Sequence, residues 1–282
     1  VLPTHLYGAP TDVEALRAAI GDARIFTIED SAQSWPDASP LRGDVAVFST
    51  GRGKPMCTVC GSVAVTNSEE LYLAIKTIRD RELDTPQTAP KIRRLSWFLG
   101  SYVLYQRLPY SLLEGCRRRP HRASGGRSKK DVTPGGLPVD IGAALASFQP
   151  RVGLVQLQKS ESLANHTQRL ARVYHQELAN CDHIQRPACT AGNAPSFYTI
   201  RVRGRDELQF VRRMHRRGIM VDRSYNYVLP QLPEYRRFAN SSYPNAAGAA
   251  AEAVNLPLHA GLNERDARRI AAYARQCAGS KG

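Results

Sequence analysis

FTIEDSAQSWPDASPLRGDVAVFSTGRGKPMCTVCGSVAVT, residues 26–66, decides the fold. Three short apolar runs stand in and beside it: Ile25–Ile28, Val45–Phe48 and Ser62–Val65. Each is bounded by Gly, Pro, Asp or Asn, the pattern of buried strands. Asp30 follows the first run directly, which places it at the carboxyl end of a strand, where open α/β sheets bind ligands. The second run ends at Phe48 and leads into Ser49-Thr50-Gly51-Arg52-Gly53-Lys54, a glycine-rich turn with hydroxyls and a lysine. Two strand ends thus carry an acid, a hydroxyl and an amine toward one sheet edge. A nucleotide-binding P-loop is rejected, because its first glycine and the hydroxyl after its lysine would fall on Phe48 and Pro55.

Outward from this stretch, helices and strands alternate. Asp12 is placed to cap a helix carrying Val13, Leu16, Ala19 and Ile20 on one face. Ser68 caps a second, with Glu69 and Glu70 in its first turn and Leu71, Leu73, Ile75 and Ile78 following. The pattern predicts an α/β sheet covered on both faces. Residues 84–140 interrupt it with prolines, a basic run and an aromatic stretch from Leu95 to Leu113. That stretch is too short and too charged to span a bilayer. It reads either as a helix packed on the protein's own core, the simpler expectation, or as an amphipathic helix on an anionic membrane, aromatics in and arginines out. A long helix is expected over 141–180. SFYTIRVRG (196–204) alternates like a half-buried strand, and RDELQFVRRMHRRG (205–218) reads as a helix closed by Gly218. Ile219–Val221 reads as a short strand, and the tail ends in a helix capped by Asn263. These segments form a second, smaller α/β unit. The expected division is 1–83, 84–140 and 141–282.

Composition bounds the function classes. The 282 residues, 42% hydrophobic and 23% charged, exclude collagen, coiled coil and disorder throughout. The formal charge is +14, and half of that excess lies in RRRPHRASGGRSKK, residues 117–130. A solvated basic loop is the simpler reading of that run, so nucleic acid is an unlikely partner. The six cysteines lack the dense spacing of a disulfide scaffold, and no signal peptide opens the chain, which points to a reducing, cytoplasmic setting. Cys57 and Cys60 form a lone C-x-x-C without a second pair at zinc spacing, so structural thiols are expected and no metal site.

EDSAQS (29–34), FSTGRGK (48–54) and CGSVAVTN (60–67), in that order, resemble the core of the DegT/StrS family of sugar aminotransferases. HLYG (5–8), QLQKSESLANHTQRLARVYHQEL (156–178) and NLPLHAGLNERDARRIAAY (255–273) are similar to that family's flanking segments. The resemblance covers most of 1–83 and 141–278. It implies a type I PLP-dependent transferase fold, with part of a large mixed sheet domain in 1–83 and a small α/β domain in 141–282. It implies pyridoxal 5′-phosphate (PLP) as cofactor, with Lys54 as its Schiff-base lysine, Asp30 on the ring nitrogen, Gln33 against the ring and Ser49 on the phosphate. It implies amino transfer, usually from glutamate, to a keto-sugar carried on a nucleotide, in a homodimer. Lys54 favours transamination over the dehydration of relatives that carry histidine there. Arg52 and Tyr225 are candidate substrate contacts, with Tyr227, Arg223 and Lys91 behind them.

Three features depart from the family. The chain starts at the HLYG segment, so the resemblance implies an N-terminal truncation. Val59-Cys60-Gly61-Ser62 stands where many relatives have Gly-Glu-Gly-Gly. The asparagine-rich stretch that reaches a partner subunit is not recognisable near Pro134–Ala144. These departures motivate two alternatives: a catalytically inactive or regulatory relative that binds a sugar nucleotide, and a membrane-surface relative, docked through 95–130, acting on a lipid-linked sugar.

Overall fold

A computed structural model describes residues 1–36, 41–84, 88–104, 142–188, 194–204, 206–223 and 225–279. The first unit holds a three-stranded sheet of β1 (Ile28–Asp30), β2 (Val45–Ser49) and β3 (Ser62–Val65). Strand β1 runs parallel to β2 with Asp30 opposite Val47, and β3 runs antiparallel to β2. Helix α1 (Val13–Ile20) starts at Asp12, whose carboxylate accepts the Ala15 N–H at 2.9 Å. Helix α2 (Glu69–Glu82) starts at Ser68, whose hydroxyl accepts the Leu71 N–H at 3.3 Å. Each cap satisfies a donor that the helix itself leaves unpaired, an effect worth about 1 kcal/mol.

Strand β1 lies later than the apolar run Ile25–Ile28. Ile25, Phe26 and Ile28 stay largely exposed, whereas Glu29 is fully buried. The reason is a complete set of polar partners. One Glu29 oxygen accepts the Arg42 N–H at 2.7 Å and the Gly43 N–H, and the other meets His5 Nε2 at 2.8 Å. A carboxylate so satisfied can hold an inward position that its own neighbours' hydrophobicity would otherwise claim.

The expectation of a buried third strand and of helices covering both faces is also corrected. Every residue of β3 is exposed, and α2 buries none of its residues. Val63, Val65, Tyr72, Leu73 and Ile78 all face outward. Helix α3 (Thr88–Leu104) reverses the expected polarity of the aromatic stretch. Arg94 is buried, and Leu99, Tyr102 and Val103 are exposed. Arg94 goes inward because its Nη1 donates to Gln149 Oε1 and to the Ala144 carbonyl, both at 3.2 Å. The remainder of the aromatic stretch and the basic run, within 105–141, lie outside the described residues.

The second unit is built on the antiparallel sheet β4 (Ile184–Gln185), β5 (Tyr198–Val202) and β6 (Ala253–Leu256), in that spatial order. Around it pack α4 (Phe148–Glu177), α5 (Glu207–Arg216), α6 (Pro244–Glu252) and α7 (Glu264–Gly279). Helix α4 begins at Phe148 rather than near 141, and the Ile219–Val221 strand reduces to a single bridge between Asp222 and Asn255. Strand β5 alternates buried and half-buried as its sequence predicts. Its inward Tyr198, Ile200 and Val202 meet Leu170 and Tyr174 of α4 and Phe210 and Met214 of α5 in one apolar core. Ala267, Ala271, Ala274 and Ala278 make one stripe of α7, small enough to seat that helix against the core.

Candidate functional site

The amino-terminal segment continues the first sheet. The Ile28 N–H donates to the Val1 carbonyl at 2.9 Å, the Asp30 N–H to Pro3 at 2.8 Å, and the His5 N–H to Asp30 at 3.0 Å. Thr4 therefore bridges Asp30 in parallel. Three parallel segments thus end at one edge of the sheet. The first delivers Tyr7, the second Asp30 to Gln33, and the third Ser49 and the turn that carries Lys54. Parallel pairing alone dictates this convergence, since all three chains exit in the same direction.

Gln33 is held from both sides. Its Oε1 accepts the Tyr7 N–H at 2.6 Å, and its Nε2 donates to Tyr225 Oη at 2.8 Å. These partners fix which way the amide points. They also join the two units, because Tyr225 belongs to the segment after α5. The Tyr7 ring lies edge-on to Tyr225, with centroids 5.6 Å apart, and 6.3 Å from Phe197. Tyr227 extends the cluster, 6.2 Å from Tyr225. Tyr7 occupies the left-handed backbone region at φ 59°, unusual for a bulky residue. Gly8 follows at φ 80°, where an added Cβ would lie 3.0 Å from both the Gln33 carbonyl and the Ser196 nitrogen. Only glycine fits between the two units there.

The phenols are kept neutral. Burial first, then Tyr225, Asp222 and Tyr227, pushes Tyr7 up to about 12. Burial also raises Tyr225, assisted by Tyr227 and Asp30, while the Gln33 hydrogen bond works the other way. Both hydroxyls therefore stay protonated at neutral pH. Tyr225, already accepting from Gln33, keeps its own proton free to donate.

Asp30 is half-buried, and one of its oxygens accepts the Ala32 N–H at 3.0 Å. Ser49 Oγ accepts the Gly51 N–H at 3.3 Å. The Lys54 N–H donates to the Gly51 carbonyl at 3.3 Å, closing the turn. Among the described residues, no cation pairs with Asp30 and no acid with Lys54. This donor set fits PLP. A carboxylate is available to a ring nitrogen, a hydroxyl to a phosphate, and an amine without an acid partner to an aldehyde carbon.

The other sequence candidates divide. The Arg52 guanidinium stacks 5.1 Å above the Trp97 ring and so ties the lysine turn to α3. Arg223 pairs with Glu207 at 2.9 Å, which neutralises it. Lys91 sits on α3, half-buried. Sequence reasoning passed over Tyr7, His5 and Glu29, although all three lie inside the quoted HLYG and EDSAQS segments. It also passed over Gln149 and Gln156 of α4, whose seven-residue spacing puts two amides on one helix face. An open cleft of about 630 Å³ adjoins the cluster through Phe197 and Asp222 and reaches His259 and Arg269 in the second unit.

With this geometry in hand, known proteins give the chain its relatives. The profile of the DegT/DnrJ/EryC1/StrS aminotransferase family matches residues 1–100 and 115–275. The chain is similar to GDP-perosamine synthase of Caulobacter vibrioides, 23% identical over 96% of the chain and 64% of that protein. It is similar to dTDP-3-amino-3,4,6-trideoxy-alpha-D-glucose transaminase of Streptomyces venezuelae, 26% identical over 99% of the chain and 63% of that protein. The chain therefore spans just under two thirds of the length of these curated relatives. A DegT DnrJ EryC1 StrS aminotransferase from Brucella abortus shares the fold with a TM-score of 0.70, at 21% identity over 99% of this chain and 64% of that one. The architecture is the α/β type I fold that the sequence motifs imply. By the extent of its profile match, the chain belongs to the DegT/DnrJ/EryC1/StrS aminotransferase family.

Proposed function

We propose that the chain carries the reactive lysine of a PLP-dependent aminotransferase that moves an amino group from glutamate to a nucleotide-linked keto-sugar, in the cytoplasm and as a homodimer. The observation that carries this reading is the convergence of Asp30, Ser49 and Lys54 on one sheet edge, with Gln33 pinned beside them by Tyr7 and Tyr225. The nucleotide-sugar substrates named for both curated relatives support the substrate class. The outward apolar residues of β3 and α2 support a covering partner subunit.

PLP bound here would supply an electron sink for the carbon that carries the amino group. Asp30 would hold a proton on the ring nitrogen. Ser49 would bind a phosphate oxygen. Gln33, unable to swing, would set the tilt of the ring. Lys54 Nζ would bind the cofactor and then move the proton to and from the reacting carbon. Tyr225 would donate to substrate from the opposite wall. The division into 1–83 and 141–282 matches these roles, with the reactive groups on the first part and the tyrosine wall on the second.

The test is reconstitution of the chain with PLP, with glutamate as donor and a nucleotide-linked keto-sugar as acceptor. We expect a visible absorbance band and amino transfer, both abolished in Lys54→Ala. A band unchanged in that variant contradicts the reading. Sugar-nucleotide binding without any transfer would favour a non-catalytic relative.

A further inference from the structure

The lysine turn is gripped by two glutamines of α4. Gln156 makes both hydrogen bonds to one backbone unit: its Oε1 accepts the Cys57 N–H at 2.9 Å, and its Nε2 donates to the Cys57 carbonyl at 2.8 Å. Two helical turns earlier, Gln149 is fully buried. Its Nε2 donates to the Thr58 carbonyl at 2.7 Å and the Cys60 carbonyl at 3.0 Å. Its Oε1 accepts the Ala146 N–H at 2.8 Å and Arg94 Nη1 at 3.2 Å. Residues seven apart share a helix face, so the two amides read successive residues of one turn.

What they grip is strained. Val59, between the gripped residues, has φ 80°. A β-branched residue in that region is a steric outlier, and such a conformation persists only where its surroundings over-determine it. Gly61 follows at φ 107°, where an added Cβ would come within 2.3 Å of a Leu145 methyl. The far end of the loop is also fixed. The Thr58 N–H donates to the Thr50 carbonyl at 2.8 Å, Thr58 Oγ1 to Thr50 Oγ1 at 2.8 Å, and the Thr50 N–H to the Gly61 carbonyl at 2.9 Å. Lys54 therefore sits on a closed loop, residues 51–57, whose return strand is held by the glutamines.

We propose that Gln149 and Gln156 are positioning residues, holding the 57–61 turn in a strained conformation and through it fixing the loop that presents Lys54. Neither amide touches the reacting atoms. Both act by removing freedom from the backbone that carries the amine, so that the order is prepaid before substrate arrives. The consequence for catalysis rests on the reading of Lys54 given above. The mechanical claim does not.

Two measurements separate them. Hydrogen exchange on the cofactor-free chain reads the grip directly. Gln156→Leu should speed exchange of the Lys54 and Cys57 amides by about tenfold, the loss of roughly one net hydrogen bond, and leave the β5 amides unchanged. Rates within twofold of wild type would overturn the proposal. Strain is read by Val59→Gly, which should raise the unfolding midpoint by about 2–4 °C in the wild-type chain and by clearly less in the Gln156→Leu background. Equal gains in both backgrounds would show that the grip does not sustain the strain. Gln149→Leu leaves several buried groups unpaired and threatens folding, so Gln156 carries the test. With PLP added, the pH at which the visible band changes should move in Gln156→Leu. Changed exchange without any band, even in wild type, would sink the Lys54 reading and leave the mechanical claim standing.

Discussion

The two sheets of this protein are held in opposite ways. Around β5 the interior is hydrocarbon: Leu170, Tyr174, Ile200, Phe210 and Met214 are essentially inaccessible and touch one another. Around β1 and β2 the interior is polar: Glu29, His5, Thr50, Thr58 and Gln149 are just as deeply buried, and each is satisfied by named hydrogen bonds. An apolar core is non-directional and tolerant of detail. A polar network is directional, and one missing partner leaves a costly orphan. The unit that brings the candidate chemistry together is the one wired by hydrogen bonds, as expected where geometry rather than stability is at a premium.

The largest expected effect lies in the apolar sheet. Leu170→Ala should cost about 3–5 kcal/mol in chemical denaturation, since it opens a cavity in a closed core. Leu73→Ala, on the outward face of α2, should change stability by less than about 0.5 kcal/mol. Similar losses at the two positions would erase the distinction between the units.

Next in size is the polar network. Glu29→Leu keeps a similar volume but strips acceptors from the Arg42 and Gly43 N–H groups and from His5. It should cost about 3 kcal/mol and loosen the 41–43 loop, measured by unfolding and by amide exchange at Gly43. If the leucine variant proved as stable as wild type, the polar interior would be incidental.

The smallest effect is a pH slope. Burial, followed by the nearby His166, lowers the His259 pKa, with Asp266 opposing. Above pH 6.5 the imidazole is neutral whether the chain is folded or unfolded, so it contributes no slope. As the pH falls below 6.5, the unfolded chain takes up the proton first and stability declines, until the folded form protonates as well. His259→Gln should flatten that decline. His175, lowered by burial and by Arg186, adds a weaker slope of the same sign that the variant would retain.

The contrast between the sheets also explains what could be read from sequence. Strand β5 and helices α5 and α7 follow from periodicity, because an apolar core imposes a period on the residues that face it. Strand β1 did not. Its inward residue is Glu29, and the apolar Ile25, Phe26 and Ile28 that mimic a strand point to solvent. Asp30, Gln33, Ser49 and Lys54 were legible as motif residues because their types and spacing serve one chemistry. Tyr7, His5, Gln149 and Gln156 act through partners remote in sequence. The Gln33–Tyr225 bond spans 192 positions and the Gln156–Cys57 pair 99, so no local pattern announces them. The exposure of β3 and α2 was hidden for a related reason: an amphipathic pattern shows that a face is apolar, not what covers it.

The most direct test of the account is to find which lysine holds the cofactor. The chain is incubated with PLP, reduced with borohydride to fix the attachment, digested and mapped by mass spectrometry. The account predicts a single modified site at Lys54, absent from Lys54→Ala, with Lys76 and Lys91 unmodified. Modification spread over other lysines, or retained undiminished in Lys54→Ala, would contradict it.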